Sequence, residues 1–190
     1  MALWLLLLLS YKEREISKIT LPKSDSSMQL PNGLKLNNES LKVVVGNLAV
    51  KEILYSSKIR NALVVLADGT TRKQLESLQP DMERMVSELD TEQLSGIIVT
   101  CQGDQEQYHF LSRYFAPWIG AGEDAVTGSA HTALGPYWAA RLSTNGQPMT
   151  ARQCSQRGGD LEVTVNEGSD KVVIASHAVI VSRGELYLSV

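Results

Sequence analysis

Apolar positions gather in short blocks along this chain, and the period inside the blocks changes from one region to the next. Residues 50–55 and 62–67 are apolar runs bounded by polar residues, which predicts two strands. Residues 71–78 and 81–89 place their apolar side chains at helical intervals instead. Leu75, Leu78, Met82, Met85 and Leu89 share one side, and Pro80 fits the first turn of the second helix. Residues 39–48 predict a further short helix with Leu41, Val44, Val45 and Leu48 on one face and Asn38 as its cap. Residues 96–101 are a β-branched strand, and residues 108–115 an aromatic-rich extended stretch. Residues 161–165 alternate apolar with polar, so one face meets a core and the other meets water. Turns at residues 168–170 and 183–185 separate this strand from further strands at 172–175, 178–181 and 186–190. The expected class is α+β, with strands joined in hairpins rather than through βαβ crossovers.

One segment breaks the amphipathic rule. Residues 128–142 predict a helix that is apolar on nearly every side, the mark of a buried central element. Gly135-Pro136 lies inside it and predicts a local loss of backbone hydrogen bonding. Residues 10–39, by contrast, are polar and turn-rich and read as a linker with one short strand. Residues 2–9 are an unbroken apolar run. Eight helical residues span only about 12 Å, so the run is too short to cross a bilayer. A secretion signal would explain its length, but no basic residue precedes it and no small-x-small cleavage site follows.

Composition narrows the function. The 190 residues suit one ordinary domain. Eighteen basic against 21 acidic residues give a net charge of −3, without a basic face for a nucleic-acid backbone. Two cysteines, Cys101 and Cys154, are too few for a disulfide scaffold and are expected as reduced thiols of a cytoplasmic protein. His109, His131 and His177 have no metal-ligand spacing, so no metal is expected.

The chemistry concentrates where the apolar helix begins. Asp124 is followed by Thr127-Gly128-Ser129, and the first-turn N–H groups of a helix are donors without helical acceptors. Gly128 has no Cβ, so a ligand can approach that backbone closely. Such a helix start suits a carboxylate or another anion. Asp124 could take up a proton, orient a base or bind an ammonium group, and Ser129 could donate to a carboxylate. The same pattern also describes a well-capped helix that binds nothing. His131 lies about 200° around the helix from Ser129 and is expected in the core.

The run Arg113-Tyr114-Phe115-Ala116-Pro117-Trp118, followed by Glu123-Asp124-Ala125-Val126-Thr127-Gly128-Ser129-Ala130-His131, resembles the phenazine biosynthesis-like (PhzF-type) family, whose segment reads RYFAP…EDPVTGSAH. Tyr137-Trp138 and Gln153-Cys154-Ser155-Gln156-Arg157-Gly158-Gly159 extend the match, which is strongest to animal members and covers roughly residues 40–190. Ala125 stands where the family usually has proline.

The resemblance implies a diaminopimelate-epimerase-like domain: a curved, mostly antiparallel sheet around one central helix, here residues 128–142. It implies an isomerase that shifts a proton within a small carboxylate-bearing substrate, without a cofactor. By position, Asp124 matches the family's active-site aspartate, and Gly128 and Ser129 its substrate-carboxylate contacts. The family's catalytic glutamate, in an N-L-S-E-T-like segment, and its glycine-histidine pair belong to a first domain. This sequence contains neither. The expectation is therefore an irregular segment over residues 1–39 and a second domain over 40–190. Such a chain carries only the carboxylate-binding half of the site, is inactive alone and forms a homo-oligomer. It has no nucleic-acid or membrane partner. A non-catalytic interaction module is the alternative.

Overall fold

The computed structural model describes residues 16–24, 29–31, 34–89, 92–104, 106–144 and 146–178. Among these, nine strands form one mixed sheet. They are β1 (Ile16–Pro22), β2 (Val50–Ser56), β3 (Asn61–Leu66), β4 (Gly96–Gln102), β5 (Phe110–Ala116), β6 (Gly122–Asp124), β7 (Met149–Gln153), β8 (Gly159–Val165) and β9 (Lys171–His177). Their order is β1-β9-β8-β7-β5-β4-β3-β2, with β6 on β5 beside β7. Four helices accompany them: α1 (Lys42–Val45), α2 (Arg72–Glu76), α3 (Met82–Glu88) and α4 (His131–Leu142). The class is α+β, as expected from the sequence. The leucine run and the strands expected beyond residue 178 lie outside the described residues.

The connections differ from the expectation of hairpins alone. β3 pairs with β4 in parallel, with α2 and α3 between them, and β5 pairs with β7 in parallel, with β6 and α4 between them. Both are crossovers, because parallel neighbours cannot be joined by a tight turn. The remaining pairs are antiparallel. The strand of the N-terminal segment, β1, joins this same sheet along β9.

The crossovers explain two cores. On one face, Ala62, Val64, Leu66, Ile97, Val99, Leu111 and Phe115 meet Val44, Leu75 and Met85 of α1–α3. The alternate residues Leu63, Val65, Ile98, Phe110 and Tyr114 point to the other face, where they join Leu134 and Trp138 of α4. α4 also reaches both edges of the sheet. Tyr137 Oη donates to Glu52 of β2, and the turn that opens the helix leaves only 3.3 Å between an ideal Cβ on Gly128 and Ile19 Cδ1 of β1. Eight flat strands would span about 34 Å, several helix diameters. One helix with its entry turn nonetheless touches both edge strands. Gly135 faces Val163, Val165 and Val172, and a Cβ there would lie 3.0–3.2 Å from them, so the valines would have to shift.

Local details also depart from the sequence reading. Asn37, not Asn38, closes the turn before α1, accepting from the N–H groups of Glu39 and Ser40. Asp81 caps α3 through Arg84 N–H, which puts Pro80 outside the helix. α4 begins at His131 rather than residue 128, because i→i+3 bonds from His131, Thr132 and Ala133 make its entry a tighter turn. Cys101 and Cys154 are free and buried, and burial pushes their thiols up to about 12 and about 11. No described helix is long and apolar enough to cross a membrane.

Candidate functional site

β6 presents Asp124 next to Tyr114 of β5, its antiparallel partner. The register of β6 is fixed from the opposite face by Glu123. Arg113 holds Glu123 with two hydrogen bonds, Nε to Oε1 at 2.6 Å and Nη2 to Oε2 at 2.8 Å. Its Nη1 donates to the carbonyls of Leu75, Glu76 and Leu78, which end α2 and begin the link to α3. A planar five-donor fork suits this buried crossing of two elements. Neighbouring strand residues face opposite ways, so anchoring Glu123 directs Asp124 to the α4 side.

The loop from Asp124 to Gly128 is held by one side chain. Gln153, fully buried at the end of β7, accepts from Thr127 N–H through Oε1 at 2.8 Å. That contact fixes the orientation of its amide. Nε2 then donates to the Asp124 carbonyl at 2.7 Å and to Thr127 Oγ1 at 3.1 Å. With its oxygen receiving this N–H, the Thr127 hydroxyl turns its own proton to Asp124 Oδ2, 2.7 Å away. Oδ2 of Asp124 is therefore an acceptor. Ser155 adds a second brace, donating to the Ala125 carbonyl and accepting from Gly158 N–H. Val126 fills the space over Gly159, where a Cβ would lie 2.4 Å from its Cγ2.

Gly128 and Ser129 follow, the first half-buried and the second exposed. Among the described residues, no acceptor meets the N–H groups of Gly128, Ser129 and Ala130. Asp124, Gly128 and Ser129 are thus brought together by one braced loop and the turn that opens α4. His131 is on the inner side of this turn, wholly buried, with Nδ1 2.7 Å from the Thr127 carbonyl. A carbonyl only accepts, so Nδ1 carries the proton. Burial, partly opposed by the Thr127 carbonyl, pushes the imidazole down to about 4. It is a core histidine, as the sequence predicts. A separate open groove of about 450 Å³, lined by residues such as Lys18, Tyr108, Asp160 and His177, includes none of the three candidate residues.

Sequence reasoning placed Thr127 only in the helix-entry motif and gave no role to Gln153, Ser155 or Arg113. The available signal was the recurrence of polar residues within strands that burial makes expensive unless they are hydrogen-bonded.

The site is thus an acidic residue, Asp124, at the entry of a helix packed on one face of a mixed α+β sheet. Residues 20–184 match the family model described as phenazine biosynthesis-like protein, and the chain belongs to that PhzC-PhzF family. It is 41% identical over 150 residues to mouse phenazine biosynthesis-like domain-containing protein 2, covering 77% of this chain and 51% of that protein. Over 94 residues it is 53% identical to an uncharacterized isomerase of Pseudomonas aeruginosa, covering 50% of this chain and 34% of the relative. The crystal structure of a phenazine biosynthesis protein of the PhzF family from Enterococcus faecalis superposes with a TM-score of 0.69 at 31% identity, over 93% of this chain and 60% of that one. The chain spans about half the length of the curated animal relatives it matches. Two of the relatives it matches, from Pseudomonas aeruginosa and Halalkalibacterium halodurans, are named uncharacterized isomerases.

Proposed function

We propose that this chain carries the carboxylate-binding half of an isomerase site built on a diaminopimelate-epimerase-like domain. The observation that carries the reading is the Gln153–Thr127–Asp124 chain beside the N–H groups of Gly128, Ser129 and Ala130, which meet no acceptor among the described residues. Backbone donors without helical acceptors at a helix entry favour a carboxylate. Asp124, with Oδ2 occupied by the Thr127 hydroxyl, has Oδ1 left to accept a proton or a donor group of the substrate. The substrate class is a small carboxylate-bearing metabolite, and the reaction a proton shift that needs no cofactor.

Proton transfer at carbon needs both a base and an acid in position. Neither an N-L-S-E-T-like segment nor a Gly-His pair occurs in these 190 residues. Alone, the chain binds and does not turn over. Its two buried free thiols fit a reducing, cytoplasmic setting.

The test has two parts. Acetate titrated into the ¹⁵N-labelled chain is expected to shift the Gly128, Ser129 and Ala130 amides, with Thr127→Val weakening the effect several-fold and Thr127→Ser retaining it. Unmoved amides would remove the carboxylate reading. Incubation of candidate cyclic amino acids in heavy water is expected to give deuterium incorporation with a two-domain relative and none with this chain. Equal rates from both would overturn the half-site.

The interaction-module alternative has an observation of its own. Ile119 is 64% exposed and Val86 43%, on the 3₁₀ turn Pro117–Ile119 and on α3, which pack together. A second copy of this chain is the partner that reading implies. Sedimentation as a monomer at high concentration would exclude it.

A further inference from the structure

Pro136 lies in the middle of α4 and has no N–H, so the carbonyl of Thr132, four residues earlier, loses its helical donor. That carbonyl is nevertheless satisfied. The backbone N–H of Ser24, more than a hundred residues away, donates to it at 3.1 Å. The side chains repeat the connection, with Ser24 Oγ 3.1 Å from Thr132 Oγ1. Thr132 Oγ1 donates its own proton to the Ser129 carbonyl at 2.7 Å. It therefore accepts from Ser24, and the bonds run in one direction: Ser24 hydroxyl to Thr132 hydroxyl to Ser129 carbonyl. Ser24 is buried, as an intentional joint requires.

The rest of the segment is tied down on both sides. Lys23 N–H donates to the Asp170 carbonyl between β8 and β9, and Lys58 Nζ donates to the Lys23 carbonyl from the β2–β3 turn. Lys23 Nζ reaches the Asn166 carbonyl at 3.3 Å. Ile19 of β1 covers Gly128. Residues 19–24 thus form a strap across the entry of α4, attached next to Gly128 and Ser129 of the proposed carboxylate turn.

We propose that Ser24 is a positioning residue for the Ser129 turn, latched to α4 through the carbonyl that Pro136 leaves without a helical partner. The strap couples the segment before β2 to the ligand-binding turn. This inference rests on the proposed carboxylate reading only for its effect on binding; the latch itself is independent of any ligand.

The experiment uses the full ¹⁵N,¹³C-labelled chain. In the wild type the Ser24 amide is expected to exchange slowly with solvent. Pro136→Ala supplies an N–H that competes for the Thr132 carbonyl, and Ser24 exchange is expected to rise at least tenfold. Ser24→Ala keeps the backbone bond but removes the hydroxyl. It is expected to leave Ser24-position exchange slow, to move the Ser129 carbonyl ¹³C resonance and to weaken acetate binding several-fold. Ser24→Thr is expected to restore both, and melting curves on each variant separate a loss of fold from a loss of position. Should Pro136→Ala fail to fold, Thr132→Val breaks the same hydroxyl chain and is expected to match Ser24→Ala. Rapid exchange of Ser24 in the wild type, or no change with Pro136→Ala, overturns the latch. An unmoved Ser129 carbonyl in Ser24→Ala overturns the positioning role. If acetate leaves the wild-type amides unmoved while exchange follows the pattern above, the carboxylate reading fails and the latch stands.

Discussion

The two halves of the sheet are built on opposite plans. β3, β4 and β5 are buried along nearly their whole length, between α1–α3 on one face and α4 on the other. β7, β8 and β9 alternate, burying Met149, Ala151, Leu161, Val163, Val172 and Ile174 against α4 and turning Thr150, Glu162 and Lys171 to water. Strands covered on both faces can tolerate a charge only inside a complete hydrogen-bond set, whereas strands covered on one face accept charge on the other at little cost. Asp124 lies at the junction, on a short strand paired to the covered half and braced by Gln153 from the open half.

The same residue type tests the contrast most severely. Arg113 on β5 is 7% exposed and its removal leaves the half-buried Glu123 without a partner and three carbonyls without a donor. Arg113→Ala is expected to cost about 3–5 kcal/mol. Arg152 on β7 pairs with Asp160, whose side chain is 55% exposed, and Arg152→Ala is expected to cost under about 1 kcal/mol. Urea unfolding of both variants measures the difference. Similar costs would erase the distinction between the two halves.

His131 provides the next largest effect, because it lies where α4 and the covered half meet, tilted against Phe110 at 6.0 Å between ring centres. Its pKa falls from an ordinary 6.5 to about 4 on folding. The unfolded chain therefore binds a proton below about pH 6.5 that the folded chain refuses. Stability from this group is complete above that pH and is lost as pH falls toward 4. The loss is about 3 kcal/mol by the usual conversion. Replacing His131 with Gln should remove this component, read as the difference between wild-type and variant unfolding free energies at pH 7 and pH 4.5. Parallel pH profiles would show that His131 charges freely in the native state.

The same contrast explains what the sequence made legible. The alternation of residues 161–165 announces a one-sided strand directly, and the apolar girth of residues 128–142 announces a central helix. Residues 62–66 carried an equally clear message, since an unbroken apolar run means cover on both faces and hence a crossover helix. Residues 72–88 provide that helix pair, yet short helices next to short strands also fit a hairpin reading, and the sequence does not state which strands are neighbours. The site divides in the same way. Asp124, Gly128 and Ser129 are legible because consecutive residues set a helix entry. Gln153 and Ser24 are not, because their roles depend on contacts 29 and 108 residues away that only the folded sheet creates.

The smallest expected effect is the most specific to the open half. Glu162 is exposed at the centre of β8, between Thr150 of β7 and Ala175 of β9. It has no ion pair among the described residues, and its strand position favours β-branched residues over glutamate. Glu162→Thr is therefore expected to be neutral or stabilising by up to about 0.5 kcal/mol, measured by the urea midpoint at unchanged slope. The substitution sets a cross-strand Thr–Thr pair opposite Thr150 in a face that water already reaches. A loss of more than about 1 kcal/mol would mean that this face is covered in solution. The open half would then be an interface, and the difference between the two halves would lie in what covers each of them rather than in whether they are covered.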